Sequence, residues 1–383
     1  MAVLSINLSC RRKLIKQPAC KLSSDNNIQL TKEGKSVAGF ALPILKNKKS
    51  MKLKVLFLYI ILWSCGIQAQ NMVSMSSVHP AADTTSAGKR ELAIRYPALR
   101  QFGVSANSFG YSDFDSKLND NDFAHGKIKT ERISTFFNTP AIQWRGNSLS
   151  ATVFYTYTAI RLKDITNELP NVQLSPLTSD RSTIDVALNY SRSDSIFNHP
   201  IIYSLVARGI SDNLSTVRRF NFNGSFTLPL KKTANTSLSV GLLVLIDPSS
   251  PIPVEPIINY YHKFVSLGLE LIVDIPTGVN LKKEITRNAW FSIGSNQSSY
   301  STFYNHRNAL LDGKVSYNTI ELKSGATIEY LFSKNIMLSV GGGINSFFSS
   351  RLFKDGEDYN NASFTSDNSG TPYVNASISV LSF

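Results

Sequence analysis

The sequence predicts an all-β protein: an antiparallel transmembrane β-barrel of about 12 strands, with 14 as the alternative. Three observations predict it. An export leader stands at residues 51–69. From about Gln101 onward apolar and polar residues alternate with period two, the mark of strands with two different faces. The connections alternate between tight turns and long polar loops, as in barrels that cross an outer membrane.

The chain divides into four parts. Residues 1–50 show no sustained helical or strand period and read as a disordered, mis-called upstream segment, with translation starting at Met51. The other reading is a long basic lead-in to the leader. Residues 51–69 form a signal peptide: Lys52 and Lys54 precede an apolar run from Val55 to Trp63, and Ala69 ends it. That run falls short of the roughly 20 apolar residues that span a bilayer. Residues 70–100 read as a flexible N-terminal segment, polar and mixed in composition. Residues 101–383 are the barrel.

Charge and cysteine usage agree with export. The formal net charge is +13, but residues 1–50 hold ten basic and two acidic residues, and Lys52 and Lys54 add two more. Only +3 is left for residues 55–383, so nothing there has the basic footprint of a nucleic-acid binder. All three cysteines, Cys10, Cys20 and Cys65, precede Gln70, which excludes disulfide and thiol chemistry from the exported part. Leu62–Gly66 loosely matches a lipoprotein box around Cys65, but Trp63 occupies a place such boxes give to a small or β-branched residue, and cleavage after Ala69 is preferred.

Within the barrel, Leu149, Ala151, Val153, Tyr155, Tyr157 and Ala159 alternate with Ser148, Ser150, Thr152, Phe154, Thr156 and Thr158. Leu238, Val240, Leu242, Val244 and Ile246 repeat the pattern opposite Ser237, Ser239 and Gly241. So do Ala326, Ile328 and Tyr330 opposite Thr327, Glu329 and Leu331. Thirteen strand-like runs can be marked, near 101–115, 127–138, 148–164, 181–193, 200–211, 215–228, 236–247, 255–264, 267–275, 287–304, 315–332, 336–352 and 373–382. Hydrocarbon does not tolerate an unpaired strand edge, so the sheet must close. Single-chain barrels have even strand numbers, so thirteen is off by one, and twelve is taken. Aromatic residues toward run ends, among them Tyr155, Tyr157, Tyr260, Tyr261, Tyr300, Phe303, Phe347 and Phe348, fit interfacial girdles. Phe383 resembles the terminal aromatic of barrels recognised for insertion.

Residues 251–345 carry a resemblance. Pro253–Pro256 leads into Tyr260–Phe264; Leu267–Pro276, Asn288–Phe291 and Ile320–Tyr330 follow in order. This succession resembles an uncharacterised outer-membrane β-barrel family of Gram-negative bacteria, a domain of unknown function. The resemblance implies a barrel over roughly residues 100–383 and carries no catalytic residues.

His79, His125, His199, His262 and His306 stand at no metal-ligand spacing, and the chain lacks a zinc-protease, nucleophile-elbow, phosphate-loop or dinucleotide motif. Gly341–Gly343 reads as a strand kink or a close backbone approach, with no helix after it to cradle a phosphate. No catalytic, cofactor-binding or metal-ligating residue is therefore assigned, and no cofactor. The expected partners are the outer-membrane bilayer and the barrel-insertion machinery, with no nucleic acid. The expected function is passage of small solutes or a structural role. Two alternatives stand beside it: an outer-membrane lipid-modifying hydrolase using His262 or His306 with a serine, and a secreted soluble β-sandwich that binds a ligand.

Overall fold

In a computed structural model of the protein, residues 86–168, 177–307 and 312–381 are described. The upstream segment, the signal peptide, the start of the N-terminal segment and Phe383 lie outside them. One antiparallel sheet of seventeen strand segments runs in a ring. Three strands are interrupted, so the segments make fourteen barrel strands. These are β1 (Phe102–Phe109 and Ser112–Leu118), β2 (Asn121–Asn138 and Ile142–Trp144), β3 (Asn147–Asn167), β4 (Leu177–Ile196) and β5 (His199–Ser211). Then follow β6 (Arg219–Lys232), β7 (Thr236–Ile246), β8 (Val254–Phe264), β9 (Leu269–Ile275) and β10 (Gly278–Thr286). The last four are β11 (Ala289–Arg307), β12 (Asp312–Leu331), β13 (Ile336–Lys354) and β14 (Phe364–Asn368 and Thr371–Val380). Closure is made by β14 against β1, from Phe102 opposite Val380 to Phe109 opposite Tyr373.

Of the two counts the sequence left open, about twelve and fourteen, the described residues make fourteen. The missing strand is β10. Its Lys282, Lys283 and Glu284 form a charged run that hides the alternation, yet Val279 and Ile285 face outward while Lys282 is buried. The sandwich alternative fails because one closed sheet replaces two packed ones.

The faces are those of a membrane barrel. Val153, Val186, Leu188, Leu205, Phe222, Val244, Ile293, Ile328, Val340 and Val374 are exposed on the outside. Inside, Arg100, Arg132, Asn221, Asn223, Glu255, Glu321, Glu329 and Asn345 are buried. An apolar exterior around a polar interior is the reverse of a soluble protein and matches hydrocarbon outside the wall. Both Arg100 before β1 and Leu381 after β14 lie at the end where the turns are short, such as Phe197–Asn198 and Arg287–Asn288. Longer connections, such as 212–218, 247–253 and 355–363, lie at the other end. By the usual asymmetry the short turns are periplasmic.

The wall is uneven. Strands β3, β4, β11, β12 and β13 have 19–21 residues, whereas β7 and β8 have 11, β9 has 7 and β10 has 9. The tall strands run from β11 through the closure to β4; the short wall is β5–β10. Pairing of β10 with β11 stops at Asn296, and pairing of β4 with β5 begins only at Ile184. The two edges left above these points approach each other, and the Thr183 hydroxyl donates to the Ser301 carbonyl at 3.0 Å. The tall strands therefore come together above the short wall into a narrower upper part.

Part of the N-terminal segment differs from expectation. Ser86–Arg95 is a helix, α1, followed by a 3-10 turn at Pro97–Leu99. Its sequence shows no apolar stripe, because what holds it is contact with the barrel interior rather than its own amphipathicity.

Candidate functional site

The lumen is a polar space enclosed by the wall, and among the described residues three sets of charges divide it by height. At the periplasmic end α1 sits in the mouth. Ala93 is buried with Leu331, Met337 and Leu381, and Ile94 and Trp290 pack beside them. Arg100 donates to the Ala93 carbonyl (3.1 Å), Ser379 Oγ (3.2 Å) and Glu329 Oε1 (2.5 Å). Lys282 donates to Glu329 Oε2 (2.5 Å) and to the Ile94 carbonyl (2.6 Å). One carboxylate thus gathers two cations, and both cations also hold α1. Asn138 adds bonds to the Ala98 and Arg100 carbonyls.

At mid-height, within the tall strands, Arg132 and Glu321 pair through two bonds of 3.1 and 2.9 Å, with both side chains almost fully buried. The Arg132 guanidinium lies 3.4 Å from the Tyr300 ring centre. Lys323 donates to Asn107 (3.2 Å) and faces the Tyr300 and Phe109 rings. A two-bond arginine–carboxylate pair is geometrically fixed, so this layer is packed rather than open.

At the extracellular end the loops fold inward. Arg218 bridges Asp355 (2.6 Å) and Asp212 (3.0 Å), tying loop 212–218 to loop 355–363. The Tyr359 amide donates to the Pro248 carbonyl at 2.8 Å, tying in loop 247–253. Arg219 reaches Ser249, Ser301 and Asn318. Below them Asp185 and Arg208 form an ion pair, and Asn221 donates to Asp247 at 2.8 Å.

Space remains on the side of the short wall. Beside α1 a cavity of about 360 Å³ is lined by Leu92, Tyr96, Ile202, Thr227, Pro229 and Tyr261 among others. Higher up, a cavity of about 90 Å³ is bounded by Asp185, Arg208, Ser249 and Ser301. Between these levels the lumenal side of β6 carries buried polar atoms without a hydrogen-bond partner: Thr227 Oγ1, both amide atoms of Asn223, and Asn221 Oδ1. Both carboxyl oxygens of Glu255 on β8 are likewise unpartnered. Such atoms are satisfied by water or by solute.

No family model matches the chain, and no curated protein does. Solved structures similar to it are Gram-negative outer-membrane barrels. An outer membrane channel from Pseudomonas putida F1 shares 7% identity at TM-score 0.29, over 73% of this chain and 96% of that one. The P. putida toluene transporter TodX shares 10% identity at TM-score 0.29, over 73% and 89%. The translocator domain of the autotransporter NalP from Neisseria meningitidis shares 9% identity at TM-score 0.26, over 85% and 97%. At such values the likeness says nothing about cargo.

The histidines do not converge. His125 lies near the extracellular end of β2, 3.4 Å from Glu168. His199 opens β5 at the periplasmic end. His262 is on the outer face of β8, bonded through Nδ1 to Thr236 Oγ1 at 2.8 Å, stacked on Tyr260 and edge-on to Phe264. The backbone of His306 pairs with Gly313. Two aromatics expected in girdles are lumenal instead, Tyr261 under Arg95 and Tyr300 under Arg132; Phe303, on the strand face of the outward Ile293, is buried beneath Arg218 and Arg219.

Sequence reasoning missed the lumenal charges, although one signal was present. Glu329 falls on the polar side of an alternating run, between Ile328 and Tyr330. A charge at such a position points into the lumen. Its partners arrive from 47 and 229 residues away, which periodicity cannot supply.

Proposed function

We propose that the protein is an outer-membrane barrel of a Gram-negative bacterium that passes small solutes through a gated lumen, with α1 as the movable plug. The observation that carries this reading is the Arg100–Glu329–Lys282 cluster. It holds α1 by polar contacts, which can be exchanged for water, over a small apolar patch. A permanent structural wall has no need of a polar latch beside a cavity. On this reading the exported chain is delivered by the signal peptide and inserted by the barrel-insertion machinery.

Planar-bilayer recording tests it. The intact protein is expected to show little or no ion current, and a variant lacking residues 86–99 is expected to conduct steadily. Silence from a correctly folded deletion variant removes passage and leaves the structural role.

Passage is favoured over hydrolysis. His262 bonds a threonine on the lipid-facing side and sits between two aromatic rings, as a girdle residue does. Purified protein is expected to leave phospholipid and lipid A intact. Cleavage lost on His262→Ala would reverse that preference.

A further inference from the structure

We propose that the cavity between α1 and the short wall is a binding site for a small uncharged amphipath, a molecule with an apolar body and one hydrogen-bonding head. This deepens the passage reading and rests on it for the route by which the molecule leaves.

The volume comes first. About 360 Å³ lies at the lower end of the range in which proteins bind small organic molecules, and it would otherwise hold roughly a dozen waters. The lining comes next. Leu92 and Tyr96 of the plug face Ile202, Pro229 and Tyr261 of the wall. Apolar and aromatic groups on two sides suit a flat or compact apolar body.

The polar groups narrow the class. Thr227 is 1% exposed, stands opposite Ile202 in the β5–β6 register, and its hydroxyl has no partner. A buried hydroxyl left unpaired costs about 1–3 kcal/mol, so a ligand head that bonds it gains selectively. Most charged groups at the wall are engaged; Asp274 also lines it, with an interaction of its own but with Oδ1 buried and not hydrogen-bonded. Arg95 bonds Glu91 at 2.9 Å, approaches Glu270 at 3.5 Å and lies 4.1 Å over the Tyr261 ring; Asp194 is held by Arg192 at 2.8 Å. Lys231 and Lys232 are exposed at the rim. Inside the cavity a charged ligand would compete with these pairs, whereas a neutral one leaves them standing.

The site also has a direction. Above Thr227 on the same strand, Asn223 and Asn221 hold unpartnered polar atoms at successive lumenal positions. A hydrogen-bonding head leaving Thr227 passes Ser225 and then meets these.

The test uses the full exported chain in phosphatidylcholine nanodiscs, with empty nanodiscs subtracted, titrated calorimetrically with 1-naphthol. Saturable one-to-one binding is expected. Thr227→Val should weaken it about five- to tenfold, the worth of one hydrogen bond. Leu92→Trp, which fills the cavity, should abolish it, with folding of both variants checked by heat-modifiable migration. Neither 1-naphthoate nor glucose should compete at equal concentration. Unchanged binding in both variants overturns the site, and equal competition by 1-naphthoate or by glucose overturns the ligand class. The bilayer recordings separate this from passage. Binding by the intact protein together with a silent but folded 86–99 deletion variant upholds the site and removes passage; a conducting deletion variant together with an intact protein that does not bind 1-naphthol removes the site and leaves passage.

Discussion

Arg132 and Glu321 bear on stability more than any surface pair can. Both are buried, and two hydrogen bonds join them. Removing one partner strands a charge in a low-dielectric interior, at a cost of about 3–5 kcal/mol. Glu321→Ala is therefore expected to lower the guanidinium unfolding midpoint in vesicles sharply. Arg132→Met with Glu321→Leu should regain most of the loss, since an apolar pair of similar volume leaves no charge behind. The glycines make a second residue-scale case. A Cβ on Gly343 would lie 2.1 Å from the Ser324 carbonyl oxygen, and one on Gly325 would lie 2.2 Å from the Gly342 oxygen. Strands β12 and β13 touch backbone to backbone here, as the Gly341–Gly343 run suggested. Gly343→Ala must push the strands apart, with about 1–3 kcal/mol lost by the same unfolding measurement. Gly224→Ala, where the nearest atom is a Leu205 methyl at 3.6 Å, is expected to be silent.

Elements were legible to the extent that their own residues determine them. Thirteen of the fourteen strands announce themselves because lipid outside and polar groups inside force strict alternation. The exception, β10, breaks the rule for a physical reason: Lys282 points inward to Glu329 while Lys283 and Glu284 sit near the periplasmic mouth. Parity showed that one strand was miscounted but not whether to add or subtract. Helix α1 was illegible because nothing in Ser86–Arg95 sets a helical stripe; the Arg100 and Lys282 bonds and the Met337 surface hold it from outside. This gives a prediction for the element. Glu329→Gln weakens both cationic ties at once, so α1 should leave the mouth more often. In proteoliposomes with the periplasmic side outward, trypsin is expected to cut at Lys89 or Arg90 several-fold faster than in the wild type, while the barrel stays intact. Equal rates would mean that the apolar contacts alone keep α1 seated.

At the scale of the whole molecule, the two heights of wall have to be reconciled with one bilayer. At 3.3 Å per residue and a tilt near 45°, the 21 residues of β3 rise roughly 50 Å, and the 7 of β9 about 16 Å. A single apolar band of roughly 25 Å cannot match both. The outer surface shows where the bilayer ends. On β2 and β3 the lower outward positions are apolar, with Ile133, Phe137, Val153 and Tyr155 exposed. Above them the same face carries Lys127 paired with Asp113, and Glu131 paired with Lys129 and Arg161. Exposed pairs of this kind contribute little to stability and belong in water. The upper halves of the tall strands thus stand clear of the membrane on the extracellular side, and the short wall lies within it. Because residues 70–383 contain no cysteine, single cysteines can map this boundary cleanly. A membrane-impermeant maleimide on intact cells should label Lys163→Cys. It should leave Val153→Cys unmodified even after the outer membrane is permeabilised. Lys232→Cys, at the periplasmic end of β6, should react only once the membrane is opened. Labelling of Val153→Cys from either side would remove the lipid-facing assignment, and labelling of Lys232→Cys on intact cells would invert the barrel.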